Sequence, residues 1–443
     1  MLQCFIDSRC YFAYIPLEFY RNADFRKDKS WLPMKVDTMR QIDYYLGVPL
    51  CFLGTLCQKV VEFLKRNESK ALQNVLFIEL SEMGSAILVD PAMRKLQKKT
   101  GANIYFAIFK KNKPSLNLLK TVPEENIYSI REGNFLAFVL DTLKFFFWTR
   151  KRKIDAVIDL ELFSRFTALL TGFSGAPNKV GFHAYYNEGL YRGDFLSHKV
   201  AYNSHIHIAK NFIAMVNALL AAEKEVPYSK TLVTDDEIVL TKVKFSALEK
   251  KPIIDIVRGC FGKFNPEKYK IILINPNASE LLIQRRWPQA YYAQLIKMIL
   301  ENCSQAIVLI TGDPREKEEA DSLRKQVQAE RCINFAGKVT LDQLPLLYSV
   351  SEFMVTNDSG PSHFASVTDM LSFVIFGPET PALYGSLGKT TPIYAGLACS
   401  PCVSAANHRK TACKDNICLQ VIKPERVFAE IKPTLEKINV EEN

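Results

Sequence analysis

Toward the C-terminal end, an apolar run, Phe353-Met354-Val355-Thr356, feeds into Asn357-Asp358-Ser359-Gly360-Pro361-Ser362-His363. A second apolar run, Ser372-Phe373-Val374-Ile375-Phe376, ends at Gly377-Pro378. A strand that opens on a Ser/Gly turn, with Pro in the first helical turn, predicts strand, turn, helix and strand, the unit of a parallel α/β sheet. The turn leaves backbone N–H groups free, and these, with the helix dipole, suit a phosphate or pyrophosphate. His363, one turn in, adds a donor. The competing reading is an ordinary strand-to-helix turn without a ligand.

The same alternation recurs along most of the chain. Residues 75–78, 103–109, 126–130 and 156–160 read as strands, with helices over about 86–100 and 135–148. After a linker near 249–252, strands are expected at 269–274, 306–310 and 333–335, followed by the two of the opening feature. This pattern predicts two Rossmann-like, doubly wound α/β domains facing a cleft, 71–250 and 251–443, with ligands at the carboxyl ends of the strands.

Residues 1–70 form an N-terminal extension with helical character over 42–64. Within it, 44–57 carries no charge and is followed by Lys59, Lys65 and Arg66. A spanning helix needs roughly 20 apolar residues. This shorter run reads either as an interfacial or re-entrant membrane anchor or as a buried N-terminal helix. The segment 135–148, which leads into Arg150-Lys151-Arg152-Lys153, has the same pair of readings: a packed helix or a lipid-docking one.

The 443 residues are 48% hydrophobic and 23% charged, a globular balance long enough for two or three domains. A net charge of +10 favours an acidic partner. No Arg/Gly tract or zinc-finger spacing supports nucleic acid, and none is expected. Eleven cysteines are not spaced as a secreted framework, and no cleavable signal peptide is read, so a reducing cytoplasm is expected. The last four, Cys399-x2-Cys402-x10-Cys413-x4-Cys418, read as a structural zinc site, as disulfides, or as free thiols packing a loop.

Five segments of the second half combine in order: Asn275-Pro276-Asn277-Ala278-Ser279, Gln284-Arg285-Arg286-Trp287-Pro288, Thr311-Gly312-Asp313-Pro314-Arg315-Glu316, Asp358 to His363, and Phe376-Gly377-Pro378-Glu379-Thr380-Pro381. Together they resemble glycosyltransferase family 9, that of the bacterial heptosyltransferases. In the first half, Ser81-Glu82-Met83-Gly84-Ser85, Ile158-Asp159-Leu160 and Lys179-Val180-Gly181-Phe182 are similar to the family's elements. The resemblance covers about 74–427.

The resemblance implies a GT-B fold and an inverting, metal-independent transfer with no catalytic cofactor. It implies a nucleotide-diphosphate sugar donor in the C-terminal domain and a lipid-linked or surface-glycan acceptor in the N-terminal one. Its implied location is the cytoplasmic face of the inner membrane, peripherally held. Carried over residue by residue, Arg285 faces the donor phosphates, Asp358 the sugar or phosphates, and Glu316 the ribose. Ser359, Gly360 and His363 form the phosphate turn, and Asn277 and Ser279 belong to the first donor loop. Gly84, Arg165, Tyr185 and Arg192 are expected on the acceptor side, the last two in a stretch rich in Tyr, Asn and His.

One departure stands out. The family usually places an Asp, taken as the general base, where this chain has Ser85. A serine hydroxyl titrates too high for that task. Glu82, in the same loop, is the candidate to act with Ser85. If Glu79 and Glu82 only cap the helix, the chain is instead a catalytically silent nucleotide- or glycan-binding protein of the same fold. A weaker enzyme reading is a nucleotide-sugar epimerase or hydrolase on a similar scaffold.

Overall fold

The computed structural model describes residues 36–64, 71–162, 164–183, 191–223, 225–404 and 410–440. Residues 1–35, Tyr185 and His408 lie outside them. The N-terminal unit runs α1 (Val36–Tyr45), α2 (Gly47–Leu64), β1 (Asn74–Ile78), α3 (Met83–Leu88), α4 (Asp90–Thr100), β2 (Asn103–Phe109), α5 (Pro114–Asn117), β3 (Ile127–Ile130), α6 (Phe135–Lys151), β4 (Ala156–Asp159), α7 (Arg165–Phe173), β5 (Asn178–His183), β6 (His198–Ala201) and α8 (Ile208–Leu220). The C-terminal unit runs α9 (Ala247–Cys260), β7 (Lys270–Asn275), α10 (Gln289–Asn302), β8 (Ala306–Ile310), α11 (Lys317–Val327), β9 (Cys332–Asn334), α12 (Leu344–Tyr348), β10 (Phe353–Asn357), α13 (Gly360–Ala365), β11 (Leu371–Phe376), α14 (Pro381–Tyr384), β12 (Lys389–Tyr394), α15 (Ile417–Gln420) and α16 (Pro424–Val440).

Each unit holds one six-stranded parallel sheet, ordered β3-β2-β1-β4-β5-β6 and β12-β11-β10-β7-β8-β9. Counted from its own first strand, the second order repeats the first. Helices cover both faces, so the central strands are buried throughout: Val75 to Ile78 in β1 and Phe353 to Asn357 in β10 are fully covered. In both sheets the strand order reverses beside the first strand, between β1 and β4 and between β7 and β10. The crevice at such a reversal, outside the carboxyl ends, is where doubly wound sheets bind ligands. The two crevices face one cleft.

Several local expectations need correction. The single helix over 86–100 is two, α3 and α4, broken at Val89, because Pro91 starts a new helix rather than continuing the old one. The boundary at 250/251 falls inside α9. Ser246 caps that helix with a reciprocal Glu249 bond, and its buried Ile253 and Val257 pack with β7 residues Ile271 and Leu273. The second unit therefore begins near Ser246. The units are also stitched together. Lys242 Nζ donates to the Ser366 and Thr368 carbonyls (2.6 and 2.9 Å), His207 Nε2 meets the Gly385 carbonyl (2.7 Å), and Leu383 and Tyr384 of α14 are part of the N-terminal core.

Candidate functional site

A cleft of about 1650 Å³ separates the two sets of strand ends. On its C-terminal wall, three loops converge after β7, β8 and β10. Asn357, fully buried, ties two of them. Its Oδ1 accepts from the Trp287 N–H (3.0 Å) and the Tyr292 hydroxyl (3.0 Å), and its Nδ2 donates to the Pro276 carbonyl (2.7 Å). Such a satisfied buried network fixes the loops in one arrangement.

Arg285 and Arg286 then divide. Arg286 turns away and braces the first loop, donating from Nε and Nη2 to the Ala278 carbonyl (3.1 and 3.0 Å). Arg285 lines the cleft beside Asp358, with Nη1 3.4 Å from the Asp358 carbonyl and 3.7 Å from Oδ2. Arg285 Nε and Asn277 Nδ2 are both buried and find no hydrogen-bond acceptor among the described residues. Donors left so are costly unless a ligand supplies oxygen.

Asp358, Ser359, Gly360 and His363 line the same wall. Ser359 is the extended residue before α13, and open space lies where a Gly360 Cβ would point. The expected dipole contribution is smaller than the sequence suggested, since α13 has only six residues. The turn amides, His363 and Arg285 are donors along this wall. Ser279 also lines the cleft. Glu316 stands at its edge, where Oε2 accepts from the Asp313 N–H (2.6 Å) and closes a capping box.

The N-terminal wall starts at the end of β1. Glu79 is buried there, and Glu82 precedes α3. Ser85 Oγ donates to Glu82 Oε2 (3.0 Å), and the Glu82 N–H donates to Glu79 Oε1 (3.2 Å). Burial holds the Glu79 carboxyl well above the usual range, and repulsion from Glu161 and Glu82 adds to it. Glu79 and Glu82 both line the cleft, and the burial that raises Glu79 favours its protonated form. Glu161, after β4, orders the loop: its Oε1 accepts from the Leu80 and Ser81 N–H groups and the Ser81 hydroxyl (3.2, 3.1 and 2.8 Å). The sequence assigned no role to Glu161 or, within the opening turn, to Asn357. Their signal was position, each at a strand end flanking a reversal of strand order.

The expected acceptor-side residues separate. Gly84 lies in the cleft wall against His363. Arg165 borders the cleft, but its guanidinium is held by Asp43 Oδ2 (3.2 Å) and the Tyr191 carbonyl (2.9 Å) and stacks on Tyr44. It fastens α1 to α7. Arg192 lies behind the wall, paired with buried Asp159 and donating to the Ser164 and Leu162 carbonyls, and is not among the cleft-lining residues. Arg192, with its donors engaged by the protein, stands outside the cleft lining, while Arg165 lines the cleft with Nε and Nη1 held by Tyr191 and Asp43.

The zinc expectation is also corrected. Cys399 is exposed, Cys402 Sγ faces Thr411 Oγ1 (3.5 Å), and Cys413 Sγ accepts from the Asn416 N–H (3.3 Å). Cys418 turns into the core under Gly377, and burial pushes its thiol up to about 11. Among the described residues, no group of three or more His, Cys, Asp or Glu side chains is placed to hold a metal.

Comparison with known proteins places this geometry. The model of glycosyltransferase family 9 (heptosyltransferase) matches residues 145–412. The chain is 25% identical over 224 residues to lipopolysaccharide heptosyltransferase 2 of Escherichia coli, covering 48% of this chain and 58% of that protein. It is 30% identical over 174 residues to lipooligosaccharide heptosyltransferase 2 of Campylobacter jejuni, covering 37% and 51%. The matches thus span little more than half the length of these curated relatives. Among solved structures, E. coli ADP-heptose lipopolysaccharide heptosyltransferase II superposes with a TM-score of 0.64 at 21% identity, over 83% of this chain and 100% of that one. A family 9 glycosyltransferase from Veillonella parvula gives 0.63 at 17%, over 83% and 99%. At those identities the likeness is one of fold.

Proposed function

Because the chain belongs to glycosyltransferase family 9, we propose that it moves a sugar, heptose-like, from a nucleotide-diphosphate donor to a lipid-linked or surface-glycan acceptor. Its place is lipopolysaccharide-type envelope assembly, as the names of its heptosyltransferase relatives suggest; we place it on the cytoplasmic face of the inner membrane. The carrying observation is Arg285, whose buried Nε lacks an acceptor at the β7/β10 crevice.

The donor diphosphate lies against Arg285, the Ser359-Gly360 amides and His363, and Asn277 Nδ2 supplies a further donor. As the bond to the anomeric carbon breaks, negative charge grows on the leaving diphosphate, and these preorganised donors stabilise it. A set of this kind suits transfer without a catalytic metal. The acceptor hydroxyl attacks from the opposite wall, which gives inversion. Glu82 takes its proton, and Ser85 holds the Glu82 carboxylate by the 3.0 Å bond. Glu316 and Asp358 border the nucleotide and sugar ends.

The substitution of Ser85 for the expected Asp favours a second reading, a nucleotide-binding protein without turnover. A panel of ADP-, GDP- and UDP-sugars incubated with candidate glycan acceptors separates them. Acceptor-dependent release of nucleoside diphosphate is expected. Saturable nucleotide binding without release by any pair establishes the second reading.

A further inference from the structure

Two helices on the outer surface of the N-terminal unit turn apolar side chains outward. On α2, the residues turned toward the protein are small or polar. Gly47 backs onto Arg165, Gly54 lies against Phe173 and Phe195, Thr55 Oγ1 accepts from the Asp194 N–H (2.9 Å), and Gln58 Nε2 donates to the Phe195 carbonyl (3.1 Å). The opposite face exposes Leu50, Phe52, Leu53, Leu56, Val60 and Val61. An amphipathic helix of a water-soluble domain shows the reverse arrangement.

α6 is apolar on both sides. Phe145 is buried in the core with Asp141 and Thr149, while Leu136, Leu140, Leu143 and Phe147 are exposed, the last by 77%. α7 lies between the two helices. Its Phe173, 39% exposed, touches Gly54 of α2 and meets Phe146 of α6 with ring centroids 6.4 Å apart. The two outward faces therefore adjoin. Scattered exposed apolar residues are ordinary, but an adjoining set of this size marks a docking surface.

We propose that the outer faces of α2 and α6 form one surface that docks on an anionic lipid bilayer. This deepens the proposed function and rests on its lipid-linked acceptor. Charge selects the bilayer over a second copy of the chain. Lys144, Arg150, Lys151 and Lys153, all exposed, and half-buried Arg152 lie on or just after α6, whereas Lys59 of α2 is paired with Asp194. The acids Asp43 of α1 and Asp141 of α6 are already paired with Arg165 and Arg131. Self-association would bring like charges together, whereas an anionic leaflet neutralises them. No single described helix is long and apolar enough to cross a membrane; α1 and α2 reach that length and composition only as a pair, bent by 44°, and α2 lies along α7 through Gly54 and Phe173. That geometry suits helices lying in the interface.

The location gives the surface a purpose. Tyr44, Tyr45, Phe135, Phe138 and Phe166 belong both to this side of the unit and to the cleft lining. An acceptor held in the leaflet by its acyl chains thus presents its head group at the cleft mouth, beside the Glu82 loop.

The test is flotation of the full chain with phosphatidylcholine vesicles, with and without phosphatidylglycerol. Two variants accompany it, F52S/L53S/L56S on α2 and L136S/L140S/F147S on α6, and ADP, GDP and UDP binding is measured in parallel. Flotation with anionic vesicles, reduced at least tenfold in each variant with nucleotide affinity unchanged, is the expected result. An α6 variant that floats like the parent overturns the proposal, as does equal flotation with neutral vesicles. A parent that stays off vesicles and forms a detergent-sensitive dimer also overturns it. Loss of nucleotide binding in the parent would instead strike the functional reading, whatever the flotation shows.

Discussion

A Cβ added to Gly84 would lie 2.7 Å from His363 Cδ2. The acceptor-side loop and the donor turn thus touch across the cleft, and the absence of a side chain at Gly84 sets how closely they approach. His363 is buried, so it has little room to yield. Gly84→Ala is expected to push the walls apart by a fraction of an ångström to about one ångström. Misplacement on that scale costs up to about 100-fold in rate. Turnover should fall roughly 10- to 100-fold while nucleoside diphosphate affinity changes little. Unchanged turnover would show that the contact does not set the reacting distance.

The two neighbouring arginines should behave differently. Arg285→Ala removes a buried cleft donor, and hydrogen bonds to charged groups contribute about 1.5–3 kcal/mol. Calorimetric affinity for nucleoside diphosphate should drop roughly 10- to 150-fold. Arg286→Ala frees the Ala278 carbonyl instead, so it should lower thermal stability first. Equal loss of affinity in both would mean that the loop, rather than the Arg285 charge, holds the ligand.

This division explains what was legible in the sequence. The parallel sheets and the donor turn could be read because strands such as Ile271 to Ile274 and Phe373 to Phe376 are short, apolar and closed by Asn275-Pro276 and Gly377-Pro378. The edge strand β12 was not read, since Lys389-Thr390-Thr391-Pro392 carries a Pro that only an edge tolerates. Arg165 and Arg192 looked like ligand residues because residue type says nothing about partners. Asp43 and Asp159, which engage them, lie 122 and 33 residues away in sequence. The Cys399 to Cys418 spacing misled for the same reason: spacing along a loop does not fix where each sulfur points.

Glu79 gives a stability signature. Its carboxyl is raised well above 4.5 by burial, with Glu161 and Glu82 contributing, so the folded chain binds a proton that the unfolded chain has released. The sign follows from linkage. This contribution is full below pH 4.5 and is lost as pH rises through the folded value. Within that window it costs up to about 1.4 kcal/mol per pH unit. Glu79→Gln keeps an oxygen to accept the Glu82 N–H and removes the titration. Urea midpoints of parent and variant between pH 5 and 9 should converge at the acid end, with the variant more stable at the alkaline end. Parallel curves would mean that Glu79 is ionised in the fold.

The last prediction concerns the proton acceptor. If Glu82 takes the acceptor proton, Glu82→Gln should reduce kcat about 100- to 10,000-fold, with donor KM nearly unchanged because Arg285 and the phosphate turn are untouched. Ser85→Asp tests the same site from the other side. Ser85 Oγ sits 3.0 Å from Glu82 Oε2, so an aspartate there places two carboxylates within reach of one proton. Like charges so close cannot both ionise freely, and the pair titrates in two separated steps. The acid limb of the pH–rate profile should therefore move upward in Ser85→Asp, and the added carboxylate should restore turnover to the inactive Glu82→Gln chain in the double variant. Full kcat in Glu82→Gln alone would remove Glu82 from the mechanism. An unshifted limb in Ser85→Asp would show that the loop carboxylates do not carry the proton.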